Sequence, residues 1–186
     1  MDSGNAKFNA IAAELLTYVS KRIPDVRIDV SFNDRWHRPC VTFGSPVFEG
    51  LLPEERFHRL MLIIPESFRE KRMAGFVWLE LSPGESVEQF LELPRSEDVL
   101  PGEARVFARL RKSKFFDSLR QALGESPQSL CGGDFAASWK ILSTAKLSKP
   151  MMTDVKLVFI RHGAYCDCQV LQTVEAALSA LYPDVG

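Results

Sequence analysis

The hydrophobic period of the chain changes at Pro24. Before it, Phe8, Ile11, Leu15, Tyr18 and Val19 recur at the spacing of one helix face, which predicts an amphipathic helix over residues 6–22. After it, Val26, Ile28, Val30 and Phe32 alternate with Arg27, Asp29 and Ser31, the two-residue period of a half-buried strand. A chain that carries both periods side by side has to lay a helix on a sheet, which is the α+β class.

The rest of the first half continues the pattern. A polar turn, Asn33-Asp34-Arg35, leads to a second strand around Cys40–Phe43. Pro53 sits where an early helical position tolerates it, Glu54 and Glu55 suit the positive end of that helix, and Phe57, Leu60, Met61 and Ile64 supply its buried stripe. Pro65 breaks the helix, a short charged helix (Glu66–Met73) follows, and Gly75 releases a strand over Phe76–Leu81. The predicted order is α-β-β-α-α-β over residues 1–93.

Residues 94–102, Pro-Arg-Ser-Glu-Asp-Val-Leu-Pro-Gly, are polar and bounded by prolines, the composition of a linker. Residues 103–186 then read as a small, mainly helical domain. Val106, Leu110, Phe116, Leu119 and Leu123 suggest one long helix or a broken pair, and Asp134 suits the N-cap of a helix over Phe135–Ala145. Lys149-Pro150 reads as a break, Val155–Arg161 fits either a helix or a strand, and Asp167 opens a last amphipathic helix after Gly163.

Charge narrows the partners. The chain has 23 Lys+Arg against 24 Asp+Glu, split as 12 basic and 14 acidic in residues 1–95 and 11 and 10 thereafter. Neither half offers the basic excess of a nonspecific nucleic-acid binder, so nucleic acid is not an expected partner. No apolar run reaches the ~18 to 20 residues of a membrane span. The amino-terminal residues lack a basic region followed by an apolar one, so the expected address is the cytoplasm. In that reducing setting Cys40, Cys131, Cys166 and Cys168 are not expected to form a disulfide framework.

The chemistry-bearing stretch is His162-Gly163-Ala164-Tyr165-Cys166-Asp167-Cys168. Two cysteines at a helix start, four and six residues after a histidine, place three soft ligands within one turn and one loop. Zinc takes thiolate and imidazole in a tetrahedron, and Cys131, in its own Gly-rich turn, is the candidate fourth ligand. The positive end of the last helix would also lower the Cys166 and Cys168 thiol pKa values, which suits a redox thiol pair as the alternative. A Cys-x-Cys spacing is a poorer chelate than Cys-x-x-Cys, and the same residues also suit plain packing at a helix start. No Gly-x-Ser-x-Gly elbow, Walker loop, His-Glu-x-x-His or dinucleotide fingerprint occurs, which turns the reading towards a non-enzymatic binding protein. The Arg105, Arg109 and Lys112 stripe reads as a solvated helix face.

Two stretches carry resemblances. The α-β-β-α-α-β order together with Ser45-Pro46-Val47-Phe48-Glu49-Gly50-Leu51 resembles the BolA-like family over about residues 6–90, with Arg56 and His58 where the helix after that box carries basic side chains. The resemblance implies a class II K-homology-like fold and a monothiol glutaredoxin as partner, with which the family shares a two-iron two-sulfur cluster. The family's cluster-ligating histidine position on the last strand is Val77 in this chain, while His37 and Cys40 lie where some members carry a second ligand. No Gly-x-x-Gly loop of the nucleic-acid-clamping kind is present in this half. Residues 113–178 are similar to a bacterial family of unknown function with a His-Gly-Gly-Tyr-Cys-Asp-Cys-Glu-Val-Leu box, from which this chain departs at Ala164 and Gln169. That family often has an earlier Cys-x-His, and here Cys131 is followed by Gly132 and Gly133.

Overall fold

A computed structural model describes residues 3–124 and 132–185. The chain divides into two compact units, Met1–Pro94 and Arg95–Gly186. The fold is α+β, with helix predominating over a single three-stranded sheet among the described residues.

The first unit opens with α1, Ser3–Val19, whose Ile11, Leu15 and Val19 are fully buried at four-residue intervals. Strand β1 (Arg27–Asn33) turns through an Asn33-centred loop into β2 (Arg38–Gly44), and the Asn33 Oδ1 accepts from the Arg35 and Trp36 amides at 3.0 and 3.3 Å. The pair is antiparallel, with Val30 opposite Val41 and Ser31 opposite Cys40. A 3-10 turn, Pro46–Phe48, is capped by Ser45 and precedes α2 (Pro53–Met61), α3 (Glu66–Arg72) and β3 (Val77–Leu81). Strand β3 runs parallel to β2, which makes β2 the centre of the order β1-β2-β3. A parallel neighbour requires a crossover, and α2 and α3 supply it.

Both faces of this sheet are covered. Ile11, Leu15, Val41, Phe43, Phe48, Leu60, Ile64 and Phe68 belong to one core, contributed by the sheet and by α1, α2 and α3. Cys40, Leu79 and Phe90 form a smaller one with Trp36, Val77 and Val87. Phe90 comes from α4 (Val87–Leu91), a helix the sequence pattern did not announce, closed by Ser86 and Gln89 capping each other's backbone amides.

The stretch expected as linker is built of turns. The Arg95 amide donates to Asp98 Oδ2 at 2.6 Å, Val99 is buried, and Leu100–Gly102 forms a 3-10 turn leading into α5 (Glu103–Lys112). Lys114 takes a left-handed conformation, φ 52°, which separates α5 from α6 (Phe115–Leu123), so the broken pair is realised. Then come α7 (Ala136–Thr144) and α8 (Lys149–Arg161). Lys149-Pro150, expected as a break, instead starts α8: Ser148 caps it and Pro150 occupies the first turn, where its missing N–H leaves no bond unmade. The ambiguous Val155–Arg161 run is therefore helical, and its Phe159 stacks on Phe115 at 5.6 Å in the core. The last helix, α9, begins at Asp167–Gln169, passes through π-wound Val170–Val174 and ends in Glu175–Leu181. Val170, Val174 and Leu178 are its fully buried positions.

Candidate functional site

The box residues sit between α8 and α9, and each is held by an identifiable bond. Helix α8 closes on Gly163, whose φ of 76° needs a residue without a Cβ. The Gly163 amide donates to the Ile160 carbonyl and the Ala164 amide to the Phe159 carbonyl, both at 2.9 Å, and Ala164 is fully buried. This is a Schellman closure with its apolar contact. Beyond it the Tyr165 amide donates to Gln169 Oε1 at 2.7 Å.

The Sγ atoms of Cys166 and Cys168 lie 3.2 Å apart, closer than a van der Waals separation and well beyond the ~2.05 Å of a disulfide. Cys166 is buried and Cys168 partly so. Asp167, between them, points elsewhere. Its Oδ2 and Oδ1 accept from the Ala137 and Ser138 amides at 2.8 and 2.9 Å, and its own amide donates to the Asp134 carbonyl at 2.9 Å. Asp134, expected as the N-cap of α7, stands one residue before it: Phe135 is the N-cap, and the Asp134 Oδ1 accepts from the Ala136 amide at 3.0 Å in a local turn. The start of α7 therefore meets two carboxylates, one local and one delivered from the cysteine box. The second could not be read from sequence, because a cap thirty residues away leaves no local signature.

His162 caps the end of α8, and its Nε2 lies 2.9 Å from Glu103 Oε1. Glu103 is almost wholly buried at the start of α5, with Arg161 Nε at 3.2 Å and the Tyr182 hydroxyl donating to its other oxygen at 2.9 Å. One carboxylate thus ties the start of α5 to the ends of α8 and α9. The Tyr182 phenol is pushed above its ordinary pKa by that hydrogen bond, by burial and by the Glu103 charge, against a smaller opposing effect of Arg161. Sequence reasoning missed Glu103, since an acid at a helix start reads as a dipole partner.

Among the described residues no group of three or more His, Cys, Asp or Glu side chains is placed to hold a metal ion. Cys131, the fourth residue of the predicted metal set, lies outside the described residues. Cys166 and Cys168 come together, whereas the His162 ring is directed at Glu103 through Nε2.

In the first unit Cys40 is a core side chain on β2, its thiol pKa raised by burial, and it stands opposite Val77 in the sheet register. His37 lies in the hairpin turn at φ 49°. Arg56 is buried. Its Nε donates to the Leu51 carbonyl at 2.9 Å, its Nη1 to the Glu80 carbonyl at 2.5 Å, and both terminal nitrogens meet the Glu85 carboxylate. His58, two residues on, is half-buried, and burial lowers its pKa. On the outer side of α2, Phe57 is 42% exposed against Trp78, and Leu62 just beyond the helix is 67% exposed.

No helix among the described residues is long and apolar enough to cross a membrane. Comparison with protein-family models, with curated proteins and with solved structures finds no match to this chain.

Proposed function

We propose that the chain is a non-enzymatic binding protein whose second unit holds a structural zinc ion through its cysteine box. The observation that carries this reading is the convergence of the Cys166 and Cys168 sulfurs to 3.2 Å while Asp167 is turned away as a cap. Two thiolates on one tetrahedral zinc stand about 3.8 Å apart, so a shift of well under 1 Å would fit the pair to the ion. Asp167 bonds the carbonyl of Asp134, and Cys131 precedes Asp134 by three residues in the chain, a reach of at most ~11 Å. That connection supports Cys131 as the third thiol. His162 would join through Nδ1, with Nε2 on Glu103 as the carboxylate that orients it. The ion would act as a cross-link between the start of α7 and the start of α9, with no reacting group on it.

For the first unit the proposal is a protein-binding surface of the BolA-like kind, with a glutaredoxin-like protein as partner. The α-β-β-α-α-β order with parallel β2 and β3, and the exposed Phe57 and Leu62 beside Trp78, support it. Val77 in place of the family's histidine supports a partner contact without a shared cluster.

The same sulfur contact favours one competing reading, a redox thiol pair in which Cys166 and Cys168 exchange with a partner's disulfide. Elemental analysis separates the two. Zinc close to one per chain in freshly purified protein, absent from Cys168→Ser and from Cys131→Ser, is the expected result. Metal-free protein whose box cysteines alkylate rapidly at neutral pH would overturn the metal reading in favour of the redox pair. On the first unit, the test is co-elution of the purified chain with a monothiol glutaredoxin, lost in Phe57→Asp. No complex at any ratio would remove that partner.

A further inference from the structure

The second unit contains a cleft of about 370 Å³ between α5, α6 and the end of α7. That volume falls at the small end of the ~300–1,000 Å³ range of small-molecule sites. Its charge is one-sided. Arg109 and Lys112, one turn apart on α5, both line it, and among the described residues no acidic side chain does. Neither cation has an ion-pair partner among the described residues, whereas the acids on the adjoining helices are engaged: Asp154 with Arg105 at 3.7 Å, and Asp117 with Arg120 at 2.8 Å. Two like charges at i and i+3 repel by a few tenths of a kcal/mol, and an anion seated between them removes that repulsion.

The hydroxyls of the cleft divide by what they have left to donate. Ser113 Oγ donates to the Leu110 carbonyl at 2.9 Å and Thr144 Oγ1 to the Ile141 carbonyl at 2.6 Å, so their protons are committed to their own helices. Ser118, half-buried on α6, also lines the cleft, and among the described residues its hydroxyl is committed to no hydrogen bond. The other wall is apolar, made by Ile141, Ala145 and Leu147, each half-buried.

We infer that this cleft binds a small phosphomonoester, its phosphate taken by Arg109, Lys112 and Ser118 and its apolar or aromatic body laid on Ile141, Ala145 and Leu147. A guanidinium, an ammonium and a hydroxyl together match the charge and acceptor oxygens of a phosphate dianion. The apolar wall distinguishes an ester from the free ion, because inorganic phosphate leaves that surface wet. The site is independent of the cysteine box and survives if the metal reading fails.

Calorimetric titration of the full chain with phenyl phosphate tests this, with inorganic phosphate and phenol as separate probes. Saturable binding of phenyl phosphate, tighter than either fragment alone, is expected. Arg109→Gln/Lys112→Gln weakens it by about tenfold or more. Ser118→Ala weakens it less, and Lys21→Gln/Arg22→Gln, which removes two charges from the first unit, leaves it unchanged. All five side chains are at least partly solvent-exposed helix or turn residues, and matching circular dichroism melts establish that the variants fold. No saturable binding up to ~10 mM phenyl phosphate would overturn the proposal, as would equal loss in the first-unit control, which would mean general charge attraction. Equal affinity for phenyl phosphate and inorganic phosphate would overturn the assignment of the apolar wall to the ester body.

Discussion

Asp167 shows how little of a residue's work is visible from its neighbours in sequence. Between two cysteines it looks like part of a ligand set, yet its carboxylate accepts two of the orphan amides that begin α7, and its amide closes onto Asp134. Those amides lie in a buried or part-buried setting, where an unmade bond to a charged acceptor costs about 1.5–3 kcal/mol. Asp167→Ala should therefore lower the urea stability of the second unit by about 2–4 kcal/mol, with Asp167→Asn intermediate because it retains one good acceptor. Zinc content measured on the same variants discriminates the roles: a cap-only residue leaves the metal stoichiometry of the folded fraction unchanged. A loss below ~0.5 kcal/mol on Asp167→Ala would show that the Ala137 and Ser138 amides do not depend on this carboxylate.

At the scale of elements, α2 is fastened to the sheet by the buried Arg56, which reaches carbonyls at Leu51 and Glu80 and the Glu85 carboxylate, with Phe90 under its guanidinium at 5.6 Å. Burial alone would raise the Glu85 pKa, but the hydrogen bonds from Arg56 and Ser82 and the Arg56 charge outweigh it, and the carboxyl is held below its ordinary value. A carboxyl with a depressed folded pKa binds protons less readily folded than unfolded. Its contribution is complete above the unfolded value near 4.3 and drains away as pH falls through the folded one. Glu85→Gln should destabilise the first unit by about 2 kcal/mol at pH 7, and the difference from the parent should shrink as pH falls from about 5 to 3. Denaturation monitored by tryptophan fluorescence at successive pH values reads this in a Trp139→Phe background, since the other two tryptophans, Trp36 and Trp78, lie in this unit. A pH-independent difference would show that the ion pair is not the origin. Arg56 also marks where sequence reading and structure part. Periodicity placed α2 and the buried Leu60 and Ile64, but Phe57, expected in the same buried stripe, is 42% exposed. A basic residue one turn into a helix reads as surface, and only the sheet packed beneath Arg56 makes it a clamp. The elements α1, β1, α2 and α9 were legible because each carries a periodic apolar face, although Phe32 of β1 and Phe57 of α2 keep the period while remaining 52% and 42% exposed. Pro150 misled because a proline marks both a break and a first turn, and only Ser148 ahead of it decides which. Helix α4 is five residues long, too short to establish a period of its own.

At the scale of the whole chain, near-neutral net charge conceals two units built on different principles. The first closes a sheet on both faces with apolar clusters, so its core does not depend on any ligand. In the second, helices meet through aromatic contacts such as Phe115 with Phe159, and polar ties at Glu103 and Asp167 hold their ends. A metal cross-link at the cysteine box would therefore enter the stability of the second unit alone, because an ion bound only by the folded state stabilises what it bridges. Chelation should lower the melting temperature of the second unit and leave the first untouched. Residues 1–94 and 95–186 prepared separately provide the measurement: the first piece should melt cooperatively at a temperature indifferent to chelator. The second should lose several degrees, a loss reversed by added zinc. If the first piece fails to fold alone, the two cores are not independent. If the second melts identically with and without chelator, Cys166 and Cys168 hold no structural ion, and their contact at 3.2 Å belongs to the thiol chemistry of the competing reading.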